Sequence, residues 1–172
     1  MSERIEHPFP PLFDSQSSIL ILGSFPSVKS RENQFFYGHP QNRFWKVMAA
    51  VLNETLPSTI DEKRCMLLSH HIALWDCIAS CEIIGSSDSS IKNVVPNDFS
   101  IILNNAYIKA IFCNGKKAHE LYRRFIQKEL GREAICLPST SPANATWTTE
   151  KLITQYASCL SPYLSPPKNT IY

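Results

Sequence analysis

No apolar run in this 172-residue chain approaches the roughly 20 residues that a membrane span requires. The opening Met1-Ser-Glu-Arg-Ile-Glu-His-Pro8 is polar and carries two acids, so it does not read as a secretory signal. A cytoplasmic protein is expected. A strong basic excess is also lacking. With 17 Lys and Arg against 15 Asp and Glu, the net charge is +2 and the pI about 8.2. That permits a nucleic-acid partner without requiring one, since dedicated basic domains usually exceed a pI of ~9. The six cysteines show no paired C-x-x-C spacing, and only Cys77 and Cys81 lie four apart. In a cytosolic chain they read as reduced thiols acting as small core residues. His7, His39, His70, His71 and His119 have no metal-ligand spacing, no H-E-x-x-H occurs, and the His70-His71 pair reads as a helix end. Neither metal nor cofactor is expected. The absence of G-x-x-x-x-G-K and of G-x-S-x-G excludes a phosphate-cradling P-loop and a hydrolase nucleophile elbow.

What remains is a composition of 44% hydrophobic and 19% charged residues, suited to one globular domain. Residues 1–16 hold three prolines and read as an extended arm, and residues 163–172 as a Pro-rich tail. Buried strands are expected at 18–22, 71–75, 107–113 and 133–137. Helices are expected at 40–52, opened by Pro40, and at 60–69, 97–104, 116–130 and 149–160. Thr59 and Glu62 have the spacing of a capping box. Alternating strands and helices predict an α/β fold: a three-layer α/β/α sandwich around a short, mainly parallel four-stranded sheet. Ligands bind such sheets beyond the carboxyl ends of the strands. The unusual loops at 23–38, 75–90, 114–115 and 138–144 all fall at that end.

Four segments carry candidate chemistry. Gly23-Ser-Phe-Pro-Ser27 follows the first buried strand, where glycine permits close backbone approach and proline stiffens the turn; it could equally be a plain turn. Phe35-Phe-Tyr-Gly-His-Pro-Gln-Asn-Arg-Phe-Trp45 offers aromatic rings that could stack on a planar base, Tyr37 above all, although Phe44 and Trp45 fit a buried helix face better. Asn114-Gly-Lys-Lys117 sets a polar side chain at a strand tip and two cations at a helix start. Those lysines are either a solvated first turn or, with Arg123 and Arg124, a phosphate-facing stripe. Pro138-Ser-Thr-Ser-Pro-Ala-Asn144 is rigid, small and rich in hydroxyls, as a loop pinching a phosphate backbone would be.

Together these segments resemble the uracil-DNA glycosylase superfamily over nearly the whole chain. Gly23-Ser-Phe-Pro-Ser27 looks like its first motif. Gly38-His-Pro-Gln-Asn-Arg-Phe-Trp-Lys46 is similar to the segment that follows in the mismatch-specific branch, and Gly115-Lys-Lys-Ala118 to the third-strand exit. Pro138-Ser-Thr-Ser-Pro-Ala143 is similar to the DNA-intercalating second motif. Phe25 stands where the mismatch-specific branch has a water-holding asparagine. The Gly-Ser-Phe-Pro variant with Asn42 looks like the hypoxanthine-DNA glycosylase branch, also called family six.

The resemblance implies a monofunctional enzyme that flips a deaminated base out of double-stranded DNA and hydrolyses its glycosidic bond. The base is expected to be hypoxanthine, with mismatch-specific uracil excision and non-catalytic DNA binding as the other readings; a domain for a free nucleotide or small acid is a further one. Asn42 is the implied catalytic residue, its amide oxygen orienting water, or else a brace for its loop. Gly23, Ser24, Phe25, Tyr37, His39 and Asn114 are the implied base-binding set. Lys116, Lys117, Ser139, Ser141, Pro142, Ala143 and Asn144 form the implied DNA-binding set. Asp76 is either a general base or half of an ion pair. A monomer, cytoplasmic and nucleoid-associated, is expected, with no Schiff-base step.

Overall fold

Ile19-Leu-Ile-Leu-Gly23 has no polar side chain to offer solvent, and all five residues are buried. Such a run must be covered on both faces, which places it at the centre of a parallel sheet. The computed structural model, which describes residues 2–164, does so. In chain order the strands are β1 (Glu3–Glu6), β2 (Ile19–Gly23), β3 (Ile72–Asp76), β4 (Ile78–Ile83), β5 (Lys92–Pro96), β6 (Ala110–Asn114) and β7 (Ile135–Leu137). The helices are α1 (Val28–Asn33), α2 (Phe44–Val51), α3 (Ile60–Ser69), α4 (Ser100–Leu103), α5 (Lys116–Phe125), α6 (Gln127–Leu130) and α7 (Thr149–Leu160).

The main sheet has the order β3-β2-β6-β7 and is parallel throughout. The chain leaves β2 for β3 on one side and then places β6 on the other. The carboxyl ends of β2, β3 and β6 therefore frame a crevice where the connections diverge, the usual ligand position in such sheets. Helices complete the layers. Leu152, Tyr156 and Leu160 recur every fourth residue of α7 and are fully buried. Losing one such large side chain typically costs about 2–5 kcal/mol. The Tyr156 hydroxyl also donates to the Pro138 carbonyl at 2.8 Å, fastening α7 to the loop that follows β7. The capping box forms as expected, with Thr59 accepting from the Glu62 amide and the Glu62 carboxylate accepting from Thr59. No helix among the described residues is long and apolar enough to cross a membrane.

Several expected boundaries move. The N-terminal arm is extended but structured: β1, β4 and β5 form a second, antiparallel sheet in the order β1-β4-β5. Its strands alternate buried and exposed residues or face solvent, so they lack the apolar run that marks the parallel strands. Helix α2 begins at Phe44, not Pro40, because residues 39–43 make a turn in which the Asn42 amide bonds the His39 carbonyl at 2.9 Å. The six-residue α1 lies in what reads as loop, capped by Ser27. The expected helix at 116–130 breaks at Ile126, whose backbone leaves helical geometry. The expected helix at 97–104 shrinks to α4, because the Asn97 side chain is drawn to the carbonyls of Asp76 and Ile78. Strand β6 starts three residues late, with Tyr107 80% exposed ahead of it, and β7 starts at Ile135 rather than Glu133. The Pro-rich tail falls outside the described residues from 165 onward.

Candidate active site

At the carboxyl ends of β2, β3 and β6 lies a cavity of about 300 Å³. Its wall includes Gly23, Ser24, Phe25, Tyr37, His39, Asn42, Asp76, Asp88, Asn114 and residues 139–143. The structure thus gathers all six expected base-binding residues and Asn42 around one space. Ser139, Ser141, Pro142 and Ala143 reach its rim, whereas Lys116, Lys117 and Asn144 do not line it.

Asn42 is fixed by a chain of uncharged groups. The Asn114 side-chain amide donates to Thr140 Oγ1 at 3.0 Å, and the Thr140 hydroxyl donates to Asn42 Oδ1 at 2.8 Å. Asn114 Oδ1 accepts the Thr140 amide at 3.0 Å, and Asn42 Oδ1 also accepts the Phe44 amide at 2.9 Å. Both acceptor positions of the Asn42 oxygen are therefore used. Asn42 lines the cavity, and its Nδ2 makes no hydrogen bond among the described residues. Bracing of the loop and presentation of an amide to the site come from the same side chain. Thr140, fully buried at the centre of this chain, was not singled out by the sequence motif, because its importance lies in partners 26 and 98 residues away.

Arg43 clamps the loop after β7. Its guanidinium donates to the carbonyls of Ser141 and Asn144 at 3.1 Å each and to that of Trp147, while its backbone amide bonds the Thr140 carbonyl at 3.1 Å. Within the loop, Ser139 Oγ accepts from the Ser141 amide and Ser141 Oγ from the Ala143 amide. Asn144 turns inward to the Ser139 carbonyl, so it shapes the loop and leaves Pro142 and Ala143 exposed at the tip. Gly115 makes room below: with φ +99 it is in a conformation that side chains avoid, and a Cβ there would press on Ser139 at 3.0 Å.

The opposite wall holds an aspartate hydrogen-bonded to a histidine. Asp76 Oδ2 meets His7 Nε2 at 2.7 Å, with side chains only 6% and 5% exposed. His7 packs edge-on against Phe9 and Phe25. Removing one member of such a buried pair commonly costs about 3–5 kcal/mol, because the other is stranded away from water. Nothing local in the Pro-rich arm marks His7, because its partner is 69 residues away. Tyr37, in the left-handed region at φ +52, stacks its ring on Phe44 with centroids 4.1 Å apart. One face of the expected stacking platform is therefore already covered. Burial, then the Asp76 charge, holds the Tyr37 hydroxyl's pKa well above that of a free tyrosine, with Asn114 opposing.

At the rim, Ser24 Oγ donates to Asp88 Oδ1 at 2.9 Å. Crowding by protein raises the Asp88 pKa, opposed by the Ser24 hydrogen bond and the positive charge of Lys117. His39 Nδ1 accepts the Gln41 amide at 3.1 Å. Lys116 faces away, sharing a shallow surface groove with His119, Arg123 and Arg124.

The arrangement and order of these loops match a known family. The model of the Uracil DNA glycosylase superfamily matches residues 10–160. The chain belongs to that superfamily. It is 36% identical over 149 residues to the hypoxanthine DNA glycosylase of Methanosarcina acetivorans, covering 86% of this chain and 93% of that one. To the hypoxanthine DNA glycosylase of Methanosarcina barkeri it is 37% identical over 138 residues, covering 79% and 86%. A solution NMR structure of a uracil DNA glycosylase candidate from Methanosarcina acetivorans superposes with a TM-score of 0.74 at 31% identity, over 91% of this chain and 98% of that chain. The superfamily fold accounts for the parallel sheet and for the placement of the cavity beyond its carboxyl ends.

Proposed function

We propose that this superfamily member is a monofunctional DNA glycosylase that excises a deaminated base, chiefly hypoxanthine from deoxyinosine, from double-stranded DNA. The observation that carries the reading is the base-sized cavity whose rim is braced by Asn42, Thr140 and Asn114 and flanked by the clamped 138–144 loop. The two Methanosarcina relatives support the choice of hypoxanthine.

A flipped nucleotide keeps its backbone at the rim, where the exposed tip at Pro142 and Ala143 takes the space it vacates. Lys116 and Lys117 contribute positive charge to the phosphates. The bond from C1′ to the base nitrogen then breaks, its electron pair leaving with the base. Water adds to C1′ and gives up a proton, which the departing base takes up through solvent, so the products are an abasic site and the neutral base. Asn42 is the catalytic residue: its Nδ2 hydrogens, which bond nothing else among the described residues, donate to charge growing on the departing base, while two donors hold its oxygen in place. Gly23, Ser24, Phe25, Tyr37, His39 and Asn114 enclose the base. No lysine among the described residues lines the cavity, in keeping with hydrolysis without a Schiff base. One chain supplies every wall, so a monomer suffices, acting in the cytoplasm at the nucleoid.

The test is cleavage of duplexes carrying inosine, uracil or xanthine by wild type and Asn42→Ala. Hypoxanthine release by wild type and its loss in the variant are expected. Undiminished release by Asn42→Ala would remove Asn42 from the chemistry, and duplex binding without any abasic product would reduce the protein to a binding domain.

A further inference from the structure

Hydrolysis needs a group that takes a proton from the attacking water, and Asn42 is not that group. Both lone pairs of its oxygen are engaged, by Thr140 Oγ1 at 2.8 Å and by the Phe44 amide at 2.9 Å, and its Nδ2 can only donate. His39 is excluded by its tautomer. Nδ1 accepts the Gln41 amide at 3.1 Å, so the hydrogen of the neutral ring sits on Nε2, which likewise donates. The Asn114 oxygen is taken by the Thr140 amide. Two carboxylates remain on the cavity wall, Asp76 and Asp88.

Access to solvent separates the two. A base that works through repeated turnovers has to hand each proton back to water. Asp76 is 4% exposed and holds His7 through Oδ2 at 2.7 Å. Asp88 lines the cavity from an exposed turn, Asp88–Ser90, on the loop between β4 and β5. Its Oδ1 accepts from Ser24 Oγ at 2.9 Å, and its Oδ2 has no hydrogen bond among the described residues. Two further bonds tie this loop to the segment after β2. Ser86 Oγ accepts the Val28 amide at 2.9 Å, and Arg31 donates to the Gly85 carbonyl at 3.1 Å. One carboxylate oxygen is thus anchored and the other left open.

Resting on the glycosylase reading, we propose that Asp88 holds the attacking water through Oδ2 and takes its proton, with Ser24 as the positioning residue. The bond from C1′ to the base nitrogen breaks and its electron pair leaves with the base. The water oxygen bonds C1′, and one water proton passes to Asp88 Oδ2 and from there to solvent. The departing base takes up a proton from solvent, which closes the balance. The ionised carboxylate also offsets positive charge that develops on the sugar. Asn42 and Asp88 divide the work: one donates to the base, the other accepts from water.

Asp88 has to be ionised to act. Crowding by protein raises its pKa, opposed by the Ser24 hydrogen bond and the Lys117 charge from α5, while the Asp76 charge at the end of β3 adds to the rise. Excision is therefore expected to fall as the pH drops through that raised value.

The experiment measures single-turnover excision of hypoxanthine from saturating inosine duplex across pH, with thermal unfolding to establish that each variant is folded. Asp88→Asn keeps the shape without the base, so the rate falls about 10²-fold or more, the acid limb disappears and duplex affinity stays. Formate, a small free carboxylate, restores part of the rate to Asp88→Gly, which leaves it room. Ser24→Ala removes a hydrogen bond that favours the ionised form and moves the acid limb to higher pH. A full rate in Asp88→Asn overturns the proposal and leaves the glycosylase reading intact. So does a slowed Asp88→Asn that keeps the acid limb, with no formate rescue of Asp88→Gly, because Asp88 then only shapes its loop. Absence of any abasic product from wild type overturns the glycosylase reading and this proposal with it.

Discussion

On one side of the cavity Asn114, Thr140 and Asn42 pass hydrogen bonds along a row of uncharged groups; on the other, the Asp76 carboxylate meets His7 at 2.7 Å with almost no access to water. The uncharged side includes Thr140 of the 138–144 loop, the loop proposed to meet the DNA backbone, where a buried carboxylate would repel phosphate. The His7–Asp76 pair joins the end of β3 to the N-terminal arm instead. Asp88, the one carboxylate on the cavity's rim, has Lys117 beside it. A neutral network can also be trimmed one bond at a time, whereas removing His7 leaves the Asp76 carboxylate buried without its partner. The two sides should therefore fail in different ways.

The largest effect is expected on the uncharged side. Asn42→Ala should lower single-turnover excision by about 10²–10³-fold while leaving affinity for an inosine duplex nearly unchanged. Equal losses in both would make the residue a brace alone. Next is Gly23→Ala, which pushes a methyl group into Asp76 Oδ1. Overpacking of this kind costs about 1–3 kcal/mol, so melting should fall by several degrees and single-turnover excision should slow as the cavity wall shifts. A variant with unaltered melting and excision would show that Asp76 has room to give.

Arg43→Lys should loosen the loop, since lysine cannot reach three carbonyls from one rigid fork. A stability loss of about 1–3 kcal/mol in urea denaturation is expected, with weaker duplex binding but intact base preference. The smallest change belongs to Lys116→Ala and Lys117→Ala. Each should flatten the salt dependence of duplex binding by about 0.9 in log–log slope without touching preference. A flat response for Lys116 alone would leave its groove out of the DNA path.

The parts of this comparison were unequally visible in the sequence. Continuous apolar runs such as Ile19–Gly23 declare buried parallel strands without any knowledge of neighbours, and the Thr59–Glu62 cap is likewise local. Asn42 and Asn114 were legible through the motifs around them. The bonds that give them meaning were not, because Thr140 joins both across long stretches of chain. The small antiparallel sheet was missed for a different reason: a half-exposed strand such as Lys92–Pro96, with a proline at its end, has the composition of a loop. His7 is the extreme case. An isolated histidine among prolines gains its role only when β1 pairs with β4 and delivers it beside Asp76.

The same arm has a second task, visible where Leu12 and Leu74 exchange backbone hydrogen bonds at 2.9 Å in an antiparallel bridge. Strand β3 is an outer member of the parallel sheet, and Leu12 seals part of its otherwise open margin. Unsealed margins of apolar strands are templates for self-association. A chain shortened past Leu12 would thus be expected to clump, while a single substitution at His7 would leave the margin sealed and the protein dispersed.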